Sequence, residues 1–283
     1  MDRTKAKTLA IAFVTTLIAG CTQPGSAPDP VPLAAPLRIE RLDQDLFHSV
    51  GDTTGTLSLK LYAQYGEFYR VYVEQILQGA PVDDPRLPIV LASFTNDPDW
   101  SSAQRAVDST LGDMELQRSQ FEAAFGRLKA LFPDSLTPRI VAFNSGFNYG
   151  IVPTDSVLGI GAEWFIGKDQ PVIQYLAPEN FPQYVKDRMQ PTMLVPSAVK
   201  GWLMVHYTRD IRGADLLTNL VETGKVMVLL DALLPDTDPA LKLAFSPEQL
   251  KWCEANAFPM WKELLDKKML YSRKNDDIAR IMN

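Results

Sequence analysis

Read for where its apolar residues fall, the chain is predominantly helical. The strongest signal runs from Leu216 to Pro235, LLTNLVETGKVMVLLDALLP. Its first half is amphipathic: Asp215, Asn219, Glu222 and Lys225 recur on one helical stripe, with Leu217, Leu220, Val221 and Val228 opposite. From Val226 to Leu234 only Asp231 is charged, so the second half is expected to be buried on nearly all sides. A helix without a solvent face belongs in the middle of a domain, and residues 215–234 are the expected central helix. Pro235 ends it by biasing Leu234 away from the helical region, and Asp236 to Pro239 continues as a turn.

The same pattern places the other elements. Leu57, Leu61, Tyr65, Phe68, Tyr72 and Ile76 step by three or four residues and predict one long helix, ended by Gly79 and Pro81. Asp97 before Pro98 reads as an N-cap followed by a first-turn proline. Phe121, Phe125, Leu128 and Phe132 mark a further helix stopped by Pro133. Period-two alternation over Leu37 to Leu42 predicts a short strand. Together with about 139–152 and 157–166 it forms a small sheet, giving an α+β fold that is mostly helical. Gly159 and Gly161 fit a bent strand or hairpin better than a phosphate loop, because no third glycine opens a helix.

Five prolines between Pro171 and Pro196 make that segment irregular around Tyr175, Phe181 and Tyr184. The next helix carries Val199, Trp202, Leu203 and His206. Ser246-Pro247-Glu248-Gln249 is a capping box, and Pro259 is expected to kink or restart the helix it opens. Beyond about residue 273 the polar run and the short Ile278–Ile281 stripe predict a disordered or truncated tail.

The N-terminus has a different texture. Arg3, Lys5 and Lys7 precede a short apolar run, Leu9 to Ile18, that ends in Ile18-Ala19-Gly20-Cys21. This resembles a bacterial lipobox, so residues 1–20 are read as a lipoprotein signal peptide and Cys21 as the lipidated mature terminus. Residues 21–36 hold five prolines and form a Pro-rich tether, leaving 37–272 as a single globular domain. Removing residues 1–20 leaves 25 basic against 33 acidic residues, a net charge of −8. That balance argues against nucleic acid and against an anionic membrane surface as an electrostatic partner. Membrane attachment then rests on the lipid of Cys21, with the domain outside the cytoplasm. Once Cys21 is lipidated only Cys253 remains, and no intrachain disulfide can form.

Candidate chemistry is sparse. Two histidines, His48 and His206, cannot make an H-E-x-x-H zinc site, and no G-x-S-x-G elbow is present. The acidic pairs Asp83–Asp84, Asp276–Asp277 and Asp236-x-Asp238 read as turn and cap residues. No catalytic residue, metal or cofactor is expected.

The lipobox, RIERLDQDLF after it, LVETGKVMVLLDALLP and SPEQLKWCEAN resemble the gliding-motility lipoprotein GldB family, over about residues 37–275. The resemblance implies an envelope lipoprotein required for gliding in some bacteria, with an envelope protein of the gliding or secretion machinery as partner. That family is distantly similar to gluzincin-type zinc peptidases, which implies a zincin-like scaffold with His206 and Glu222 at vestigial ligand positions. Trp202 would then replace the first histidine and Leu203 the catalytic glutamate. A tryptophan binds no zinc and a leucine activates no water. His206 is therefore expected to be a buried, hydrogen-bonded histidine, and Glu222 to be solvated or paired with Lys225. The leading reading is a non-catalytic protein with a partner cleft at Tyr175, Phe181, Tyr184 and Trp202. Two alternatives are a divergent peptidase using His206, Glu222 and a further ligand, and a cell-wall or small-ligand binding module.

Cys21→Ser is expected to abolish incorporation of a labelled fatty acid and to leave uncleaved precursor. Undiminished labelling would place the lipid on another residue.

Overall fold

The structure is a computed structural model and describes residues 27–49 and 55–282. Cys21, the signal segment and the first part of the tether lie outside the described residues. The sheet has four strands, β1 (Ile39–Arg41), β2 (Arg139–Phe143), β3 (Ile151–Pro153) and β4 (Val157–Gly161), in the order β1-β2-β4-β3. The pairs β1–β2 and β2–β4 are parallel, and β3 runs antiparallel to β4 at the edge. Ile140 stands opposite both Ile39 and Leu158, and Ile160 opposite Ile151. β2 and β4 are near-continuous apolar runs because helices cover both of their faces. Ile140, Ala142, Leu158 and Ile160 face one core, while Val141, Phe143 and Val157 face the other.

Helices α1 (Leu42–Phe47), α2 (Thr56–Tyr65), α3 (Glu67–Val71) and α4 (Leu87–Asn96) build the second of these cores. The stripe from Leu57 to Ile76 does face the core, but it is not one helix. Gly66, at φ 59° and ψ −136°, ends α2 and restarts the chain as α3, and a π-helical turn follows at Tyr72–Ile76. Tyr72, Val73 and Ile76 are all buried in that wider turn.

The first core is built by α5 (Pro98–Leu111), α6 (Glu115–Leu131), α9 (Leu194–His206) and α10 (Leu216–Leu233). The short α7 (Pro171–Gln174) and α8 (Gln183–Lys186) precede α9. Asp97 caps α5 as expected, its Oδ1 accepting the backbone N–H groups of Asp99 at 2.9 Å and Trp100 at 3.3 Å. The tether is not free over its described part. The Val31 N–H donates to the Gly126 carbonyl of α6 at 3.3 Å, and a Cβ at Gly126 would come within 2.7 Å of the Val31 oxygen. Residues 30–33 thus lie on α6, with Leu33 against the core.

The central helix departs from expectation. α10 buries one stripe, Leu216, Glu222, Val226, Leu230 and Leu233, against α6, α9 and the following α11 (Pro239–Leu243). Val228 is 71% exposed, and Val221 and Asp231 also face solvent. Apolar residues on every side of a helix do not bury it when neighbours stand on one side only.

The chain's end also differs. Instead of a disordered tail from residue 273, Asn275–Met282 forms α13, packed on α10. The segment before it supplies what α10 lacks at its start. Leu216 N–H donates to the Ser272 carbonyl at 3.0 Å and Leu217 N–H to the Leu270 carbonyl at 2.8 Å, while Asp215 Oδ1 accepts Thr218 N–H at 2.9 Å. Three of the four amides that a helix N-terminus leaves open are thereby satisfied. Between these elements α12 (Pro247–Asp266) starts with the expected capping box and runs through Pro259 as one continuous helix.

Leu230 is fully buried, so Leu230→Ala should cost about 2–5 kcal/mol through lost transfer energy and the cavity left behind. Val228→Ala, on the solvent face, should stay within about 0.5 kcal/mol. Urea denaturation measures both, and equal losses would restore the all-round burial read from the sequence.

Candidate functional site

His206 ends α9, where its Nε2–H donates to the Thr154 carbonyl at 3.0 Å. A carbonyl only accepts, so this nitrogen carries the proton and has no lone pair to offer a metal. The ring stacks on Trp202, with centroids 3.7 Å apart and planes at 29°. On the neighbouring α10, Glu222 Oε1 accepts from Lys225 Nζ and from Arg209 Nε, each at 2.8 Å. The hydrogen bond from Lys225 is the main influence holding this carboxyl below the usual glutamate range. Glu222 pairs with Lys225 as anticipated, but it sits on the buried stripe and is not a solvated residue. Among the described residues no three His, Cys, Asp or Glu side chains are placed to hold a metal.

The four aromatic residues expected to share a cleft do not. Trp202 is only 1% exposed and meets Phe125 edge-on inside the core. Phe181 packs on Trp164 and Phe147, at 5.7 and 6.2 Å between centroids. Tyr175, at the end of α7, is 87% exposed. The reason is local: α9 turns Trp202 inward onto Phe125 of α6, whereas the proline-broken turns before it leave Tyr175 and Tyr184 on the outside. Tyr184 does line a groove, with Arg188, Met193, Leu241, Phe245 and Gln249. There the Arg188 guanidinium stands 5.4 Å over its ring.

A third site was not legible in the sequence. β1, β2 and β4 run parallel, so their C-terminal ends share one edge, where open α/β sheets place their ligands. Asp43, Ser145 and Glu163 each lie two residues past one of those ends, and all three are buried. Asp43 is held by Arg41, at 2.9 and 2.7 Å, and by Gln104 at 2.9 Å. Gln104 Oε1 in turn accepts from Asn144 Nδ2 at 3.3 Å. Glu163 Oε1 accepts from the Ser145 backbone at 2.8 Å, the Ser145 hydroxyl at 2.6 Å and the Phe147 backbone at 3.1 Å. It thereby organises a turn in which Gly146 and Phe147 both have positive φ. Glu163 Oε2 is buried without a partner, and burial pushes the carboxyl up to about 7. In sequence these residues are scattered singly among apolar neighbours, and only strand order brings them together.

These features define an α+β domain with a mixed four-stranded sheet, a His206–Glu222 helix pair held by hydrogen bonds and ion pairs, and an aromatic groove; no described helix is long and apolar enough to cross a membrane. The chain belongs to the family of gliding motility protein GldB, which it matches over residues 26–283. Membership ties it to gliding motility and to lipoproteins held at the envelope. No curated protein and no solved structure matches it.

Because the folded state holds the Glu163 proton up to about 7 and the unfolded chain only to the ordinary glutamate value of 4.5, this carboxyl's stabilising contribution is complete below about 4.5 and is lost as pH rises through 7. Stability should therefore fall on the order of 3 kcal/mol between about pH 4.5 and 8 from this group. Glu163→Gln should flatten that slope and melt above the wild type at pH 8. A slope unchanged in the variant, followed by calorimetry, would assign the pH dependence elsewhere.

Proposed function

We propose that the protein is a non-catalytic envelope lipoprotein, a zincin-like pseudoenzyme, that binds another envelope protein of the gliding machinery. One observation carries the reading. Of the positions that the zinc-peptidase resemblance would use, Glu222 is already paired with Arg209 and Lys225, Trp202 and Leu203 supply neither ligand nor base, and His206, its Nε2–H donated to the Thr154 carbonyl, keeps only Nδ1. The binding surface is the groove between Tyr184 and Phe245, rather than a cleft reaching Trp202. It offers Met193, Leu241 and Phe245 to an apolar side chain, and Arg188 and Gln249 as donors beside them. Such a mixture of apolar contact with a few placed polar groups suits a short protein segment.

The test is complementation of a strain lacking the gene, scored by colony spreading and by the amount of protein in the envelope. His206→Ala should retain function, because its ring serves packing. Tyr184→Ser combined with Phe245→Ser should abolish spreading at unchanged abundance, since Tyr184 is 60% and Phe245 38% exposed and neither belongs to a buried core. Loss of spreading with folded His206→Ala, or stoichiometric zinc in purified native protein, would overturn the non-catalytic reading.

A further inference from the structure

The groove beside Tyr184, about 300 Å³ in volume, carries an uneven balance of charge. Arg188 lines it and stands over the Tyr184 ring, and among the described residues its guanidinium meets no carboxylate and makes no hydrogen bond. Met193, in the same wall, is the residue before α9, and Lys200 stands two turns further on, on the same side of that helix. Helical side chains lean toward the N-terminus of their helix, so the Lys200 stem reaches back toward Met193 and the groove. Lys200 is half-buried and, among the described residues, has no hydrogen bond or ion pair from its ammonium. Burial, with the charge of Arg188 added to it, holds that ammonium below the usual lysine range.

The acidic groups nearby are engaged elsewhere. Asp187, which also lines the groove, lies 3.4 Å from Lys168 Nζ and accepts from Gln183 Nε2 at 3.1 Å. Glu248, in the first turn of α12, does not line the groove and has the charge of Lys251 near it. The charges of Arg188 and Lys200 are therefore left unmatched, in a chain whose net charge is −6. Two neighbouring cations, one of them partly desolvated, are costly until an anion joins them. Beside them Met193, Leu241, Ala244 and Phe245 give the groove an apolar part. A bare anion would leave that part uncovered, and a purely apolar segment would leave both cations unmatched.

We propose that the groove takes a short segment of another protein in which a carboxylate stands beside a large apolar side chain. The carboxylate sits between Arg188 and Lys200, where the guanidinium offers it paired N–H donors and the ammonium a second positive charge. The apolar side chain lies on Met193, Leu241 and Phe245. The attraction is local, because salt hides the acidic remainder of the molecule beyond a screening length of about 8 Å. This inference names the chemistry of the partner and rests on the reading of the groove as the binding surface, so its test separates the two.

Fluorescence anisotropy of the purified protein with three labelled peptides of leucine and phenylalanine provides the test. The first contains two glutamates and an amidated C-terminus, the second has glutamines in their place, and the third is the glutamine peptide with a free C-terminal carboxylate. The glutamate peptide should bind on the order of tenfold tighter than the amidated glutamine peptide, by a margin that shrinks as salt rises. Equal tightness of the third peptide would assign the carboxylate to a chain end, and weak binding of it to a side chain. Arg188→Gln combined with Lys200→Gln should erase the preference without lowering the melting temperature or the affinity for the amidated glutamine peptide. Lys251→Gln, exposed and outside the groove, should leave the preference intact. Binding of no peptide, equal binding of all three, or a preference that survives the double variant would overturn the proposal. A preference that needs both cations but survives Tyr184→Ser with Phe245→Ser would refute the groove and leave the cation pair standing. Normal spreading with the double charge variant, where the aromatic variant spreads no longer, would keep the groove and refute the carboxylate.

Discussion

The parallel pairing of β2 with β4 is the constraint on which the rest of the molecule depends. Each strand is only five residues long, and each is buried from end to end apart from Arg139. Strands with no solvent face must have helices on both sides, so one short sheet creates two cores. The first core takes α5, α6, α9 and α10, and the second takes α1 to α4. Parallel pairing also demands long connections, and the described part of the segment from β1 to β2 is mostly helical.

The same pairing concentrates polar groups at one edge. Asp43, Ser145 and Glu163 are brought together because three strands point the same way, not because anything local joins them. The energetic result is mixed. Asp43 is satisfied by Arg41 and Gln104, whereas Glu163 has one oxygen fully engaged and the other orphaned. An orphaned buried carboxylate is costly, and the raised proton affinity of Glu163 is the form that cost takes. The turn it organises carries Phe147 into contact with Trp100, Trp164 and Phe181, so one carboxyl group positions an aromatic cluster.

On the far side of the first core, polar side chains make hydrogen bonds and ion pairs between helices and loops. His206 and Glu222 occupy adjacent helices, but each is already partnered, and the ring of Trp202 fills the space beside the histidine. Potential for interaction lies instead at the periphery. The Tyr184–Phe245 groove borders the capping box of Ser246, so a rigid helix start forms one side of it. The capping box is therefore also a positioning device: it sets the direction in which α12 leaves the domain.

What the sequence determined by itself was every feature whose cause lies within a few residues. The Asp97 and Ser246 caps, the Asp238 cap of α11, the short strands and the irregular proline-rich stretch all depend on hydrogen bonds or sterics between near neighbours, and all were legible. So was the family, because its motifs are contiguous. The tertiary structure alone decided which face of α10 is buried, since Glu222 and Val228 exchange their expected environments according to where α6 and α9 stand. It decided that Gly66 breaks an apolar stripe that is continuous by spacing alone. It decided that the chain's last segment docks, because the amides of Leu216 and Leu217 that hold it lie more than fifty residues away. The strand-end cluster belongs there too. Burial and long-range pairing are properties of the assembled layers, and no window of a few residues contains the partners that create them.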